Sequence, residues 1–146
     1  MQLEHHINQA QQLYDQGRFE EAITRYKKIS KTKSSADLSF LIGNCYKAVG
    51  SYKEGVHEYT KAIAGNPRGC YYNNRGNCFL CMDNIEKAEA DYLKSIEIEP
   101  HNEVFLGNYG NICLTLKKFE EAIEVYNKAL RIDPHNDFFY NNRAFA

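Results

Sequence analysis

Apolar positions recur at helical spacing in two alternating kinds of segment along the chain. Tyr72, Gly76 and Phe79 illustrate the first kind; Phe119, Ala122, Ile123 and Tyr126 illustrate the second. The pattern predicts A helices over about 3–16, 36–48, 70–82 and 103–116. It predicts B helices over about 18–30, 52–64, 85–98 and 119–131, with a fifth A helix opening at 137–146.

The segments also repeat residue by residue. Tyr26, Tyr59, Tyr92 and Tyr126 follow one another at steps of 33, 33 and 34. Large residues keep the same step at Phe19, Tyr52, Ile85 and Phe119, and small ones at Ala22, Gly55, Ala88 and Ala122. Upstream, Ala10, Gly43, Gly76, Gly110 and Ala144 form a second small column, and Pro67, Pro100 and Pro134 close three of the units. Small residues let two helices approach, and proline cannot continue the helical hydrogen-bond ladder. Each unit is therefore expected to be an antiparallel helical hairpin. A hairpin of this size cannot bury both of its apolar faces alone, so neighbours must stack into an all-α solenoid.

These columns resemble the tetratricopeptide repeat (TPR) family. Its pattern of small residue, glycine, aromatic, alanine and proline is matched by Gly43, Gly50, Tyr52, Tyr59, Ala62 and Pro67. It is matched again by Gly110, Phe119, Ala122, Tyr126, Ala129 and Pro134. Ser34, Ile29, Gly55 and Asp83 depart from it. The resemblance implies a right-handed superhelical solenoid of antiparallel helical hairpins. On that reading residues 3–146 form a single solenoid with repeats at about 3–35, 36–68, 69–102 and 103–136 and a partial fifth helix at 137–146.

At 100° per residue, Asn74 and Asn77 lie on the side of their helix away from Tyr72, Gly76 and Phe79. Asn74, Asn108 and Asn142 form one line, one repeat apart, and Asn44, Asn77 and Asn111 form a second. A carboxamide offers one acceptor and two donor hydrogens, which suits the main chain of an extended peptide. The six asparagines are the expected peptide-binding groove. For the second line, bridging of adjacent A helices is the competing role. Arg75 and Arg143 lie about 100° further round and are expected between repeats, with their heads near solvent.

The asparagine lines further resemble the concave asparagine ladder of the repeat domain in O-linked N-acetylglucosamine transferase, and a similar surface in kinesin light chains. That resemblance implies capture of peptide backbone by Asn74, Asn108 and Asn142, without transferase activity. Another mode of the family, a carboxylate clamp for chaperone tails, places cations on successive A helices. The corresponding positions here read Ile7, Gln11, Leu41, Cys70 and Asn74, which disfavours an acidic tail.

Composition narrows the function classes. Lys and Arg number 18 against 19 Asp and Glu, so a net charge of -1 supplies no field for nucleic acid or an anionic membrane. No stretch approaches the roughly 20 apolar residues of a membrane helix, and no signal-peptide run opens the chain. A cytoplasmic protein is expected, with its five cysteines reduced. Cys78 and Cys81 make a C-x-x-C, but zinc requires four ligands and no second pair lies nearby. Cys45, Cys78 and Cys113 read as core residues, and Cys70 and Cys81 as accessible thiols. His5, His6, His57, His101 and His135 read as exposed, and no nucleophile, base and acid set recurs. No enzyme activity, metal or cofactor is therefore expected, and the partner is expected to be a protein or peptide.

An alternative is self-assembly. The fifth helix carries Phe138, Phe139, Tyr140 and Phe145, which are expected to be partly uncovered and to pair with another copy or with further repeats.

Overall fold

The computed structural model describes residues 2–146. Among them every regular element is an α-helix. The chain divides into two compact units, Met1–Pro67 and Arg68–Ala146. The first contains α1 (Gln2–Asp15), α2 (Phe19–Thr32), α3 (Ala36–Ala48) and α4 (Tyr52–Gly65). The second contains α5 (Gly69–Cys81), α6 (Ile85–Ile98), α7 (Glu103–Thr115), α8 (Phe119–Ile132) and α9 (Asp137–Phe145). Each expected helix boundary lies within two residues of the observed one. Consecutive helices pair as hairpins α1–α2, α3–α4, α5–α6 and α7–α8; α2 also packs on α3, α6 on α7 and α8 on α9.

The four hairpin turns share one backbone solution. Gly17, Gly50, Asp83 and Lys117 take the left-handed conformation, with φ of 75°, 78°, 58° and 57°. Each is followed by a residue whose N–H reaches back five positions. Arg18 donates to the Leu13 carbonyl at 2.9 Å, Ser51 to Tyr46 at 2.9 Å, Asn84 to Phe79 at 2.9 Å and Lys118 to Cys113 at 2.8 Å. This is a Schellman closure, which satisfies carbonyls that the helix end leaves open. Glycine enters the conformation without cost, whereas Asp83 and Lys117 carry a Cβ there. The departure at Asp83 thus changes the energy of the turn and not its shape.

Among the described residues four helix starts are capped by a short polar side chain, whereas Ser51 at the start of α4 makes no such bond. The Ser35 hydroxyl accepts from Leu38 N–H, and the Asn102 carboxamide from Val104 and Phe105 N–H. Asn136 does the same for Phe139, and Asn84 for Lys87. Each such bond satisfies an otherwise orphaned first-turn donor.

In three of the hairpins a glycine of the A helix faces the tyrosine of the B helix. A Cβ on Gly43 would lie 2.8 Å from Tyr59 Cε1, on Gly76 2.9 Å from Tyr92 Cε1, and on Gly110 2.6 Å from Tyr126 Cε1. The rings fill the space that a side chain would occupy. In the first unit Ala10, Ala22, Ile23, Tyr26, Ile29, Leu38, Ile42 and Cys45 form the core. In the second, Tyr92, Leu106, Ile112, Cys113, Tyr126, Leu130 and Phe139 are joined by Ala88, Ala122 and Ala129. Ring and small residue alternate because a close-packed interior must pair a bulky group with a gap of matching volume.

Candidate functional site

The core tyrosines reach beyond the core to hold polar side chains at its edge. Tyr59 donates its hydroxyl to Asn44 Oδ1 at 2.7 Å, Tyr92 to Asn77 Oδ1 at 2.6 Å and Tyr126 to Asn111 Oδ1 at 2.6 Å. Tyr26 makes the corresponding bond to Gln11 at 3.2 Å. Partners lie 15 residues apart every time, so the bond is part of the repeat. Burial pushes the Tyr126 hydroxyl up to about 12, partly opposed by a hydrogen bond from Asn142. It raises the Tyr26 and Tyr92 hydroxyls well above the ordinary phenol value as well. Each of these hydroxyls stays protonated near neutrality and acts as a donor. The carboxamide oxygen must therefore turn inward, toward it.

A second set of bonds joins asparagines on successive A helices of the second unit. Asn108 Nδ2 donates to Asn73 Oδ1 at 2.8 Å, and Asn142 Nδ2 to Asn111 Oδ1 at 3.0 Å. Asn73 is buried, with its Nδ2 3.4 Å from Asn74 Oδ1. Asn74, Asn77, Asn108, Asn111 and Asn142 are all half-buried on this unit, and Asn44 is half-buried on the first. Asn73 lies outside the expected set of site residues. Its neighbour Asn74 carries the repeating column, whereas the residue one repeat after Asn73 is Gly107, so no periodic signal marks it.

Arg75 departs from expectation. Its guanidinium is not directed between repeats toward solvent but is clamped inside its own hairpin. Nε and Nη2 donate to Asp91 Oδ2 and Oδ1 of α6 at 2.8 and 2.7 Å, and the cation lies over the Tyr72 and Phe79 rings. Asp91 is buried, so the carboxylate takes the cation inward with it. Arg143 likewise turns back, donating from Nη1 to Asn127 Oδ1 of α8 at 2.8 Å.

The thiols fall where expected: Cys45, Cys78 and Cys113 are buried, Cys70 is half-buried and Cys81 is exposed, all as free cysteines. Burial pushes the Cys45 thiol up to about 11. Among the described residues no cluster of three His, Cys, Asp or Glu could hold a metal ion. No helix among them is long and apolar enough to cross a membrane. On α9, Phe138, Tyr140 and Phe145 are exposed, Phe145 at 80%. Phe139 corrects the expectation for that helix: it is 4% exposed, packed against Gly107 and Tyr126. It takes the inward position on α9 because Gly107 leaves a hole for its ring.

Helical hairpins built on a glycine-to-tyrosine contact, with amides ranked along their A helices, define a helical-repeat protein of the solenoid class. Tetratricopeptide repeat models match residues 7–69 and 70–102, and a TPR repeat model matches residues 110–146. The chain belongs to the tetratricopeptide-repeat family.

Among curated proteins, tetratricopeptide repeat protein 16 of Mus musculus is 42% identical over 62 residues, covering 41% of this chain and 8% of that protein. The Homo sapiens counterpart is 39% identical over 62 residues, covering 41% of this chain and 7% of its own length. The match thus spans less than a tenth of either relative. Among solved structures, a tetratricopeptide repeat protein from Parabacteroides merdae superposes with a TM-score of 0.89 at 20% identity, over 98% of this chain and 58% of that one. YrrB, a TPR protein with an unusual peptide-binding site, gives 0.80 at 22% identity over 96% and 74%. The first TPR of Spaghetti (RPAP3), bound to the HSP90 peptide SRMEEVD, gives 0.72 at 24% identity over 75% and 88%. At these identities the likeness is one of fold.

Proposed function

We propose that this chain is a non-catalytic protein-interaction scaffold that holds an extended peptide or disordered segment along the asparagine-bearing faces of its A helices. The observation that carries the reading is the linked set of amides on the second unit, where Asn108 and Asn142 bond to Asn73 and Asn111 of the A helix before their own. Carboxamides ranked in this way can exchange hydrogen bonds with main chain and are indifferent to side-chain sequence. The peptide bound by the first TPR of Spaghetti and the peptide-binding site of YrrB support a peptide as the kind of partner. The acidic sequence of the Spaghetti ligand does not carry over, because Ile7, Gln11, Leu41, Cys70 and Asn74 offer no cation at the clamp positions.

The affinity follows from simple magnitudes. Each net hydrogen bond contributes about 1 kcal/mol, whereas association costs at least about 4 kcal/mol before the peptide is ordered. A few amides therefore support micromolar or weaker binding. The test is photo-cross-linking of partner proteins by wild type and by the double variant Asn74→Ala, Asn108→Ala. Loss of the cross-linked partners supports the groove, and an unchanged set overturns it.

A second reading is favoured by the three exposed rings of α9. Phe138 and Phe145, seven residues apart and so on one side of α9, supply an apolar face suited to another copy of the chain, with Tyr140 exposed on the other side. Light scattering over a hundredfold range of concentration tests it: rising mass supports association, and a constant monomer mass excludes it.

A further inference from the structure

We infer that the asparagine rows are polarised, so that one row leaves its Nδ2 donor and the other its Oδ1 acceptor open to a ligand, and that the partner segment is read through both the C=O and the N–H of its backbone. The inference rests on the peptide-scaffold reading above and deepens it.

The donor row is Asn77 and Asn111. Asn77 Oδ1 is occupied by the Tyr92 hydroxyl. Asn111 Oδ1 is occupied twice, by the Tyr126 hydroxyl and by Asn142 Nδ2, which uses both of its lone pairs. Neither Nδ2 has a partner among the described residues. No buried side-chain nitrogen or oxygen among those residues lacks a partner, so these two Nδ2 groups face solvent. These nitrogens are donors, and in Asn111 both lone pairs of the oxygen beside the open nitrogen are already taken.

The acceptor row is Asn108 and Asn142. Here Nδ2 is the committed atom, bonded to Asn73 and to Asn111. Oδ1 of each has no partner among the described residues and, by the same reasoning, faces solvent. Rotating either carboxamide would break the bond that fixes it, and rotating Asn111 would set its NH2 against the hydrogens of Asn142.

On α7 the two polarities sit three residues apart, where side chains of a helix are neighbours with Cβ atoms about 5–6 Å apart. A residue in an extended chain presents its own N–H and C=O on one edge, as in the paired bonds of antiparallel strands. Asn108 Oδ1 and Asn111 Nδ2 form the complement of that edge. Proline, which lacks the N–H, is excluded at the residue held by this pair.

The test begins with a random decapeptide library exposed to the whole chain, and the selected peptide is remade with single ester bonds that delete one N–H at a time. In wild type, one linkage should lose about five-fold in affinity when esterified, the worth of one net hydrogen bond. In Asn108→Leu the ester and amide forms should bind alike, while in Asn111→Leu the five-fold difference should persist. Because each comparison is a ratio within one variant, a change in the stability of that variant does not mimic the result. A ratio that collapses in Asn111→Leu and survives in Asn108→Leu overturns the polarity while leaving the peptide scaffold intact. A wild type in which no linkage is sensitive overturns the polarity in the same way. Failure to retain any decapeptide overturns the scaffold reading itself, and this inference with it.

Discussion

Arg75 and Asp91 join α5 to α6 by two parallel bonds, Nε to Oδ2 at 2.8 Å and Nη2 to Oδ1 at 2.7 Å, with the Asp91 side chain only 7% exposed. A guanidinium matches a carboxylate in this geometry in a way that lysine cannot. Removing the cation leaves a buried carboxylate whose desolvation is no longer offset. Arg75→Leu is expected to destabilise the protein by about 2–4 kcal/mol, and Arg75→Leu with Asp91→Leu to recover at least half of that loss. Urea unfolding midpoints of the three proteins check both numbers.

The four hairpin turns predict a stabilising change. Lys117 and Asp83 hold φ of 57° and 58°, a conformation that costs an L residue about 1–2 kcal/mol. Glycine removes that cost but gives back about 0.5–1 kcal/mol in chain entropy. Lys117→Gly and Asp83→Gly should each raise stability by up to about 1 kcal/mol. Gly50→Ala, at φ 78° with open space around it, should lower stability by a similar amount through backbone strain alone. Thermal melts of the single variants report the sign.

Buried tyrosines set an alkaline limit. Burial first, opposed by the Asn142 bond, holds the Tyr126 hydroxyl at about 12 against 10.0 for a free phenol. The folded state thus binds this proton more tightly than the unfolded state does. The stability linked to it is complete below pH 10 and is lost as pH rises from 10 toward 12. Tyr26, Tyr92 and Tyr109 are shifted in the same direction and add to the slope. Denaturant titrations from pH 8 to 12 should show stability beginning to fall above about 9, where the raised Cys45 thiol contributes, and falling more steeply above about 10, with that steeper part shallower in Tyr126→Phe.

The thiols should react in an order set by burial. Cys81 is exposed, whereas Cys45, Cys78 and Cys113 are buried, and the Cys45 thiol is held near 11. An aromatic disulfide reagent should label Cys81 within seconds, Cys70 more slowly and the other three only on unfolding. Oxidant should produce no bond between Cys78 and Cys81, because positions three apart on a helix place Cβ atoms about 5–6 Å apart, beyond disulfide reach. Mass spectrometry of the oxidised native protein would reveal such a bond if it formed.

The repeat was legible because its columns answer to rules that act locally or between neighbouring helices. A glycine that must clear a tyrosine ring, as Gly110 must clear Tyr126, leaves a fixed step in the sequence. The same step set helix positions to within two residues and brought Asn44, Asn77 and Asn111 into one register. Cys78 also declared itself, since a small apolar residue on the inward face has nowhere else to go.

Residues outside the columns were not legible. Asn73 breaks the period, and Asp91 follows the acidic Glu58 one repeat earlier, but their partners Asn108 and Arg75 lie 35 and 16 residues away in the chain, so no local pattern announces the pairing. Helical phase could place Arg75 on one side of α5 but could not show that a carboxylate waited on α6. Phe139 shared an aromatic run with Phe138 and Tyr140, and only the hole at Gly107 selected which ring would be buried.

The sequence by itself determined the hairpins, their turns and the two rows of amides, because side-chain size and helical phase act within a single repeat. Which atom of each amide faces outward was decided only in three dimensions. That choice depends on which donor the carboxamide oxygen meets, and the donor arrives from another helix.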